Sequence, residues 1–144
     1  MKFKMLAMLV ALATLCLSET PGRTAEFYAD TKIGVLLVNH GSRSVTWRQS
    51  LLNLEARVTA PILAHASVKG LKTAFMEYTE PSIATRMKEF DQEGFTDVII
   101  VPVFLTVSPH TFDDIPTIVG LKEDPHSMQQ LKIENIQRYS PKAK

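Results

Sequence analysis

The sequence alternates short apolar runs with amphipathic segments, and this order constrains the fold more than any other feature. "IGVLLVN" (33–39) is a continuous run of strand length, and segment 45–63 repeats apolar residues at helical spacing. "GLKTAFMEY" (70–78) predicts a second strand, 80–95 a second helix, and "DVIIVPVFL" (97–105) a third, fully buried strand. This order, with its short connections, predicts an α/β fold: a parallel sheet with right-handed crossovers and helices on both faces.

Prolines and glycines refine the limits of these elements. Pro81 is expected at the first position of the second helix, and Gly94 is expected to end that helix. Pro102 is tolerable in the third strand only at a sheet edge or a bulge, because proline lacks a backbone donor. The apolar face of the first helix is expected to comprise Trp47, Leu51, Leu54, Val58 and Ile62.

Charge and size limit the classes of function. The chain has 144 residues, which suits one small domain, and a net charge of +1 from 16 basic and 15 acidic residues. Because the basic residues are scattered rather than gathered in a patch, nucleic acid is excluded as an expected partner.

Residues 1–25 have the features of a signal peptide. Two lysines precede an apolar run, Met5–Leu17, that is too short to span a bilayer comfortably. We expect cleavage after Ser18 or Ala25, which leaves a domain over residues 26–144 with no membrane span. The expected location is the periplasm or another site outside the cytoplasm. The alternative for residues 1–25 is an ordinary buried helix. Cys16 is the only cysteine, so it excludes an intramolecular disulfide, and a lipid anchor there is disfavoured by the bulky residue before it.

Two histidines follow the two most apolar strands. The first strand ends in "NHGSR" and the third is followed by "SPHTFDD", which contain His40 and His110. In flavodoxin-like strand order, strands one and three flank the point where ligands bind, outside the carboxyl ends of the strands. We therefore expect the two imidazoles on adjacent loops, where they can hold a divalent ion of the iron, cobalt, nickel or zinc group with positions left open. From spacing alone, structural or solvent-facing histidines are the alternative.

Other polar residues beside these histidines have structural interpretations. Asp113 and Asp114 are expected to be first-turn or capping residues of the helix that begins near Ile115, where negative charge is favourable. Ser42 lacks the G-x-S-x-G turn of a nucleophilic serine, which argues against hydrolase chemistry.

Three blocks of the chain together resemble the small class II tetrapyrrole chelatases, the sirohydrochlorin cobalto- and nickelochelatases of the CbiX and CbiK type. The blocks are "LLVNHGSR" (36–43), "AFMEYTEPSIATRMKEFDQEGFTDVIIVPVFL" (74–105) and "PHTFDDIP" (109–116), in the family's order. The resemblance implies the flavodoxin-like chelatase fold. It also implies insertion of a divalent metal substrate, Co2+ or else Fe2+ or Ni2+, into sirohydrochlorin or a related tetrapyrrole, with no organic cofactor.

The resemblance also implies the catalytic residues. His40 and His110 correspond to the family's metal-binding and catalytic pair, and imidazoles can both hold the ion and accept the pyrrole protons. Glu80 matches a family position that would relay protons or complete the metal shell. Its alternative is a charge at the helix N-terminus beside Pro81.

The remaining polar residues receive weaker roles. Ser42 and Arg43 are expected to contact the acidic side chains of the macrocycle, with a solvated loop residue as the alternative for Arg43. Glu77 is expected to be mainly structural. His65 and His126 match no block and are expected to be ordinary surface histidines.

Two features depart from the family resemblance. Most such relatives are cytoplasmic, whereas this chain carries an export signal, so a periplasmic metal- or tetrapyrrole-binding protein without turnover is the main alternative. A scaffold domain with an inert crevice is a third. The family also implies a further strand and helix after the helix expected at 124–139. We therefore expect that this chain is the front part of a longer protein, or that it forms a homo-oligomer in which a partner chain covers the exposed sheet edge.

Overall fold

The computed structural model describes residues 31–141, so the expected signal peptide and Cys16 lie outside it. Its strands and helices, in chain order, are β1 (Ile33–Asn39), α1 (Val45–Leu63), β2 (Val68–Phe75), α2 (Ile83–Gln92), β3 (Asp97–Pro102), a π-helical turn (His110–Asp114), α3 (Ile115–Ile118) and α4 (Pro125–Ile133). None of the helices in this part of the chain has the length and apolar character needed to cross a membrane.

The three strands form a parallel sheet in the order β2-β1-β3. β1 is central, and Val38 pairs with Ala74 on one side and with Pro102 on the other. Six of the seven β1 residues are buried, as a continuous apolar run predicts for a strand covered on both faces. The predicted α/β fold is confirmed, with strands one and three adjacent.

Helices cover the two faces of the sheet unequally. On one face, α2, α3 and α4 pack on the sheet around a buried cluster that includes Leu36, Val38 and Phe90. On the other face, α1 packs mainly against β2. The helix has the predicted bounds, but none of its residues is fully buried, and Trp47 is 51% exposed. The predicted apolar face of α1 is therefore only partly used for packing.

β3 is an edge strand, and the prediction that it is fully buried was wrong. Its residues alternate, with Val98 and Ile100 packed against the core and Ile99 and Val101 exposed at 49% and 38%. The difference arises because α1 lies over β2 and leaves the same face of β3 uncovered. Pro102 ends this strand at the sheet edge, which agrees with its missing donor.

α2 begins later than Pro81, so the expected first-turn position for this proline was wrong. Ser82 is the N-cap, and its side chain accepts a hydrogen bond from the backbone of Thr85. The Pro81 carbonyl instead accepts from the backbone N–H of Phe75 at 2.9 Å, which ties the loop to β2. At the other end of α2, Gly94 has φ +74°, as expected for a glycine that terminates a helix.

The last helix, α4, is shorter than the expected 124–139, and the chain after it packs on the core. Tyr139 is buried; its hydroxyl donates to Asp91 at 2.6 Å and its backbone N–H donates to Ile118 at 2.8 Å. These two bonds anchor the segment after α4 against α2 and α3.

Candidate metal centre

The end of β1 places His40 beside the segment that follows β2. The backbone N–H of Met76 donates to Asn39 at 2.8 Å, and that of Glu77 donates to His40 at 2.9 Å, so pairing continues beyond the strand. Gly41 then turns the chain with φ +103°, and a Cβ at this position would lie only 2.1 Å from the Glu77 carbonyl oxygen. Only glycine fits this close approach, which holds His40 and Glu77 together.

His110 begins the π-helical turn and is oriented by Asp114. Its Nδ1 lies 2.6 Å from the Asp114 carboxylate one turn later, and both side chains are partly buried. Because this bond engages Nδ1 as the donor, Nε2 remains available to bind a metal.

Asp113 and Asp114 lie at the start of the helical segment, as expected, but the expected side-chain capping of α3 was wrong. Asp114 occupies the N-cap position of α3, but its side chain makes no capping bond and instead holds the His110 ring. Asp113 pairs with Lys122.

His40, Glu77 and His110 converge on one point. The rings of His40 and His110 meet edge to face with centroids 5.0 Å apart, close together as their strand-end positions predict. Each of the three residues offers a ligand atom within 4.8 Å of the others. Two imidazoles and a carboxylate are a common set of ligands for a divalent transition metal, and three protein ligands leave coordination positions open.

Glu77 is the buried negative charge of this centre. Its side chain is only 7% exposed, and its Oε1 lies 3.7 Å from Nε2 of His40. Interaction with the Glu77 carboxylate raises the pKa of Tyr78, through hydrogen bonding first and charge second. Partial burial, followed by the negative charge of Glu77, also raises the pKa of Glu134. The Glu77 carboxylate therefore acts on both neighbouring side chains.

Glu80 is held by the start of α2. Its carboxylate accepts a hydrogen bond from the Ser82 backbone N–H at 2.6 Å. Burial acts to raise the pKa of Glu80, but hydrogen bonds from Ser82 and Thr85 and the charge of Arg86 outweigh it and lower this pKa. Glu80 shares a cavity with Glu77 and Tyr78 but is not one of the three clustered ligands. Its role in proton relay stays a prediction.

Ser42 and Arg43 lie in the loop after His40. The Ser42 hydroxyl accepts from the Ser44 backbone at 3.0 Å, and its carbonyl accepts from Arg48 at 2.6 Å, so Ser42 shapes the loop. The exposed Arg43 guanidinium lies over the Tyr78 ring, 5.3 Å from its centroid. This position keeps Arg43 beside the metal centre, and macrocycle contact by both residues stays a prediction.

The two remaining histidines differ in position. His65 is exposed between α1 and β2, at the end of the sheet where β2 begins, whereas the candidate centre lies at the end where the strands finish. His126 is also exposed, but it lies on α4 and lines a cavity together with His110 and Glu77.

Two cavities meet at His110. One, of about 280 Å³, contains the charged or ionisable side chains of Glu77, Asp114, His126 and Glu134. The other, of about 390 Å³, is lined by both histidines of the centre and mainly by apolar side chains. His110 is therefore flanked by two chemically different cavities, while Glu77 also lines the cavity that contains Glu80.

From the sequence, Glu77 was expected to be mainly structural. The signal that could have identified it is its place two residues after β2, which neighbours β1 in the predicted strand order. Applying the strand-end rule to the second strand as well would have placed Glu77 beside His40.

Comparison with known sequences agrees with the resemblance to the CbiX-type chelatases. The sequence model of the CbiX family matches residues 34–142. The sirohydrochlorin cobaltochelatase of Methanococcoides burtonii is 38% identical over 100 residues, covering 67% of this chain and 69% of the relative. That of Methanocaldococcus jannaschii is 38% identical over 92 residues, and the match spans 62% of its length.

Solved structures share the fold. A CbiX protein from Marinobacter aquaeolei is similar with a TM-score of 0.50 at 21% identity, over 76% of this chain and 78% of that one. The sirohydrochlorin chelatase SirB from Bacillus subtilis, solved in complex with cobalt, is similar with a TM-score of 0.53 at 25% identity. The match covers 76% of this chain but 42% of SirB. The chain thus belongs to the CbiX family of class II tetrapyrrole chelatases.

Proposed function

We propose that this protein inserts a divalent metal, Co2+ or else Fe2+ or Ni2+, into sirohydrochlorin or a related tetrapyrrole. The observation that carries the proposal is the convergence of His40, Glu77 and His110 within 4.8 Å. Relatives also support the proposed function: two similar proteins are named sirohydrochlorin cobaltochelatases, and the structure of the similar SirB was solved with cobalt.

In this proposal, the three side chains first hold the metal ion as substrate. The Glu77 carboxylate supplies a buried negative charge, and Nε2 of His110 is oriented by Asp114. Because three protein ligands leave positions open, pyrrole nitrogens can replace water on the ion one at a time.

The macrocycle must lose two pyrrole protons as its nitrogens bind the ion. As the pyrrole nitrogens displace the His40 imidazole from the ion, that imidazole becomes free to accept the two pyrrole protons one after the other, so His40 is the proposed acceptor. Its side chain is 45% exposed, which allows the proton to pass to solvent.

The deciding experiment mixes protein beginning near residue 26 with sirohydrochlorin and Co2+ under anaerobic conditions and follows metallation by absorbance. With sub-stoichiometric protein, we expect many equivalents of product per chain at a rate above the protein-free control. A spectral change that stops at one macrocycle per chain or per oligomer would identify a binding protein without turnover. Absence of both binding and metallation would favour an inert scaffold.

Matched histidine variants connect this activity to the centre. His40→Ala and His110→Ala should each abolish metallation without changing the helical circular dichroism signal. His65→Ala is the control, because this exposed residue lies before the start of β2, at the opposite end of the strands from the centre. If His40→Ala or His110→Ala metallates like the wild type, that residue has no part in the mechanism.

We also propose that the protein is exported to the periplasm, on the basis of the basic and apolar features of residues 1–25. Fusing this segment to a reporter enzyme that is active only after export tests the proposal. Export should be lost when Leu9 and Val10 are replaced by arginine, and retained export by that variant would contradict it.

A homo-oligomer is proposed from the open side of the sheet. Ile99 and Val101 of edge strand β3 are exposed at 49% and 38%, and a second copy would cover them. Sedimentation should show an oligomer that Val101→Lys dissociates; a monomeric wild type would refute this proposal.

A further inference from the structure

We propose that the tetrapyrrole binds in the cavity beside Trp47 and stacks on the indole ring, and that the cavity beside α4 does not hold it. The inference rests on the proposed function, since it assigns the position of that function's organic substrate.

The cavity beside Trp47, called here the Trp47 groove, adjoins the metal centre directly. It is lined by His40 and His110 together with Trp47, Phe104 and Leu105, and has a volume of about 390 Å³. The Phe104 ring lies edge-on to His110 with a centroid distance of 6.3 Å. A flat macrocycle in this groove would therefore lie beside both imidazoles.

The groove walls match the apolar faces of such a ring. Trp47 is 51% exposed and Leu105 is 96% exposed, so both offer apolar surface that the folded chain does not bury. Aromatic rings stack favourably on flat π systems, with a further gain from burying their area. Among the residues lining the groove there is no carboxylate.

The cavity beside α4 has the opposite character. Glu77, Asp114 and Glu134 line it and surround the same His110. Sirohydrochlorin carries acidic side chains, so three carboxylates would repel it there. The same carboxylates would attract a cation, so the α4 cavity suits the approach of the metal ion.

Direct titration with metal-free sirohydrochlorin tests the assignment. Binding is followed by the absorbance of the macrocycle, and in parallel by fluorescence of Trp47, the only tryptophan of the chain. We expect Trp47→Ala to raise the Kd about tenfold and Trp47→Phe to change it by less than about threefold, since phenylalanine keeps an aromatic surface. Gln130→Ala, which alters the α4 cavity, should leave the Kd unchanged.

A charge test does not depend on the packing of Trp47. Leu105→Glu should weaken binding of the acidic macrocycle and Leu105→Lys should not, because only the sign of the added charge differs. Leu121→Glu is the matched control, because Leu121 is 83% exposed and lines a different cavity.

The outcomes separate this inference from the proposed function. Tight binding that weakens in Trp47→Ala supports the groove even if no turnover occurs and the chelatase proposal fails. A Kd within twofold of wild type in Trp47→Ala, or a Kd raised by Gln130→Ala instead, overturns the inference even if metallation is fast. A Trp47→Ala variant that dissociates an oligomer without changing the Kd would also overturn it and assign Trp47 to an interface between copies.

Discussion

Replacing Asp114 with asparagine tests whether the π-helical turn prepares His110 for metal. The Asp114 carboxylate lies 2.6 Å from Nδ1 of His110, so it holds the ring with Nε2 free. Asparagine has nearly the same shape and retains an oxygen acceptor. The substitution therefore removes the negative charge and leaves a neutral hydrogen bond.

The magnitude follows from this bond and its exposure. A hydrogen bond to a charged group contributes about 1.5–3 kcal/mol and a neutral one about 0.5–1.5 kcal/mol. The two side chains are 34% and 15% exposed, so solvent screening places the loss towards the lower end, at about 1–1.5 kcal/mol. Because the Nδ1–H becomes a better donor once Nε2 binds a metal, this loss appears as roughly tenfold weaker Co2+ affinity.

The assay is competition for Co2+ against a chromophoric chelator at neutral pH, without macrocycle. Asp113→Asn is the matched control, since the neighbouring carboxylate pairs with Lys122 rather than with His110. Only Asp114→Asn should lose affinity, and both variants should keep the wild-type circular dichroism spectrum.

Two results would refute this reasoning. Wild-type affinity within twofold in Asp114→Asn would mean that the carboxylate does not prepare the ligand. An equal loss in Asp113→Asn would mean that general negative charge near the centre, rather than the bond to His110, determines the affinity.

Three further predictions concern stability and pH. Gly41→Ala should destabilise the fold by at least about 2 kcal/mol in urea unfolding and abolish Co2+ binding, because its Cβ would lie 2.1 Å from the Glu77 carbonyl; wild-type stability would contradict the close approach. Burial, followed by hydrogen bonding to and the charge of Asp91, raises the pKa of Tyr139 from 10.0 to about 12. Tyr139 should therefore contribute fully to the free energy of unfolding below about pH 10, and this contribution should be lost as the pH rises towards 12. The melting temperature of Tyr139→Phe should not show this additional decrease at alkaline pH. Co2+ affinity should fall below about pH 6, because protonated imidazole cannot bind metal, and an affinity constant from pH 8 to pH 5 would argue against histidine ligands.

The order of elements was predictable because its signals are local. Apolar periodicity over Val45–Leu63 gives α1 its observed bounds, and the continuous apolar run gives β1. The positions of Pro81 and the burial of β3 were predicted wrongly. The first depends on a hydrogen bond from Phe75 to the Pro81 carbonyl, and the second on where α1 lies across the sheet. The first is set by pairing between a loop and the end of the strand before it, and the second by a helix distant in sequence.

The sequence by itself determined that His40 and His110 follow two neighbouring parallel strands, because strand order and chain direction bring strand ends to one edge of a sheet. Only the tertiary structure decided which other groups join them. Glu77 reaches the centre because backbone pairing continues past β2, and Asp114 turns towards His110 instead of capping α3 because the intervening residues form a π-helical turn. Loop side chains are aimed by backbone angles and long-range packing, which residue types and spacing do not specify.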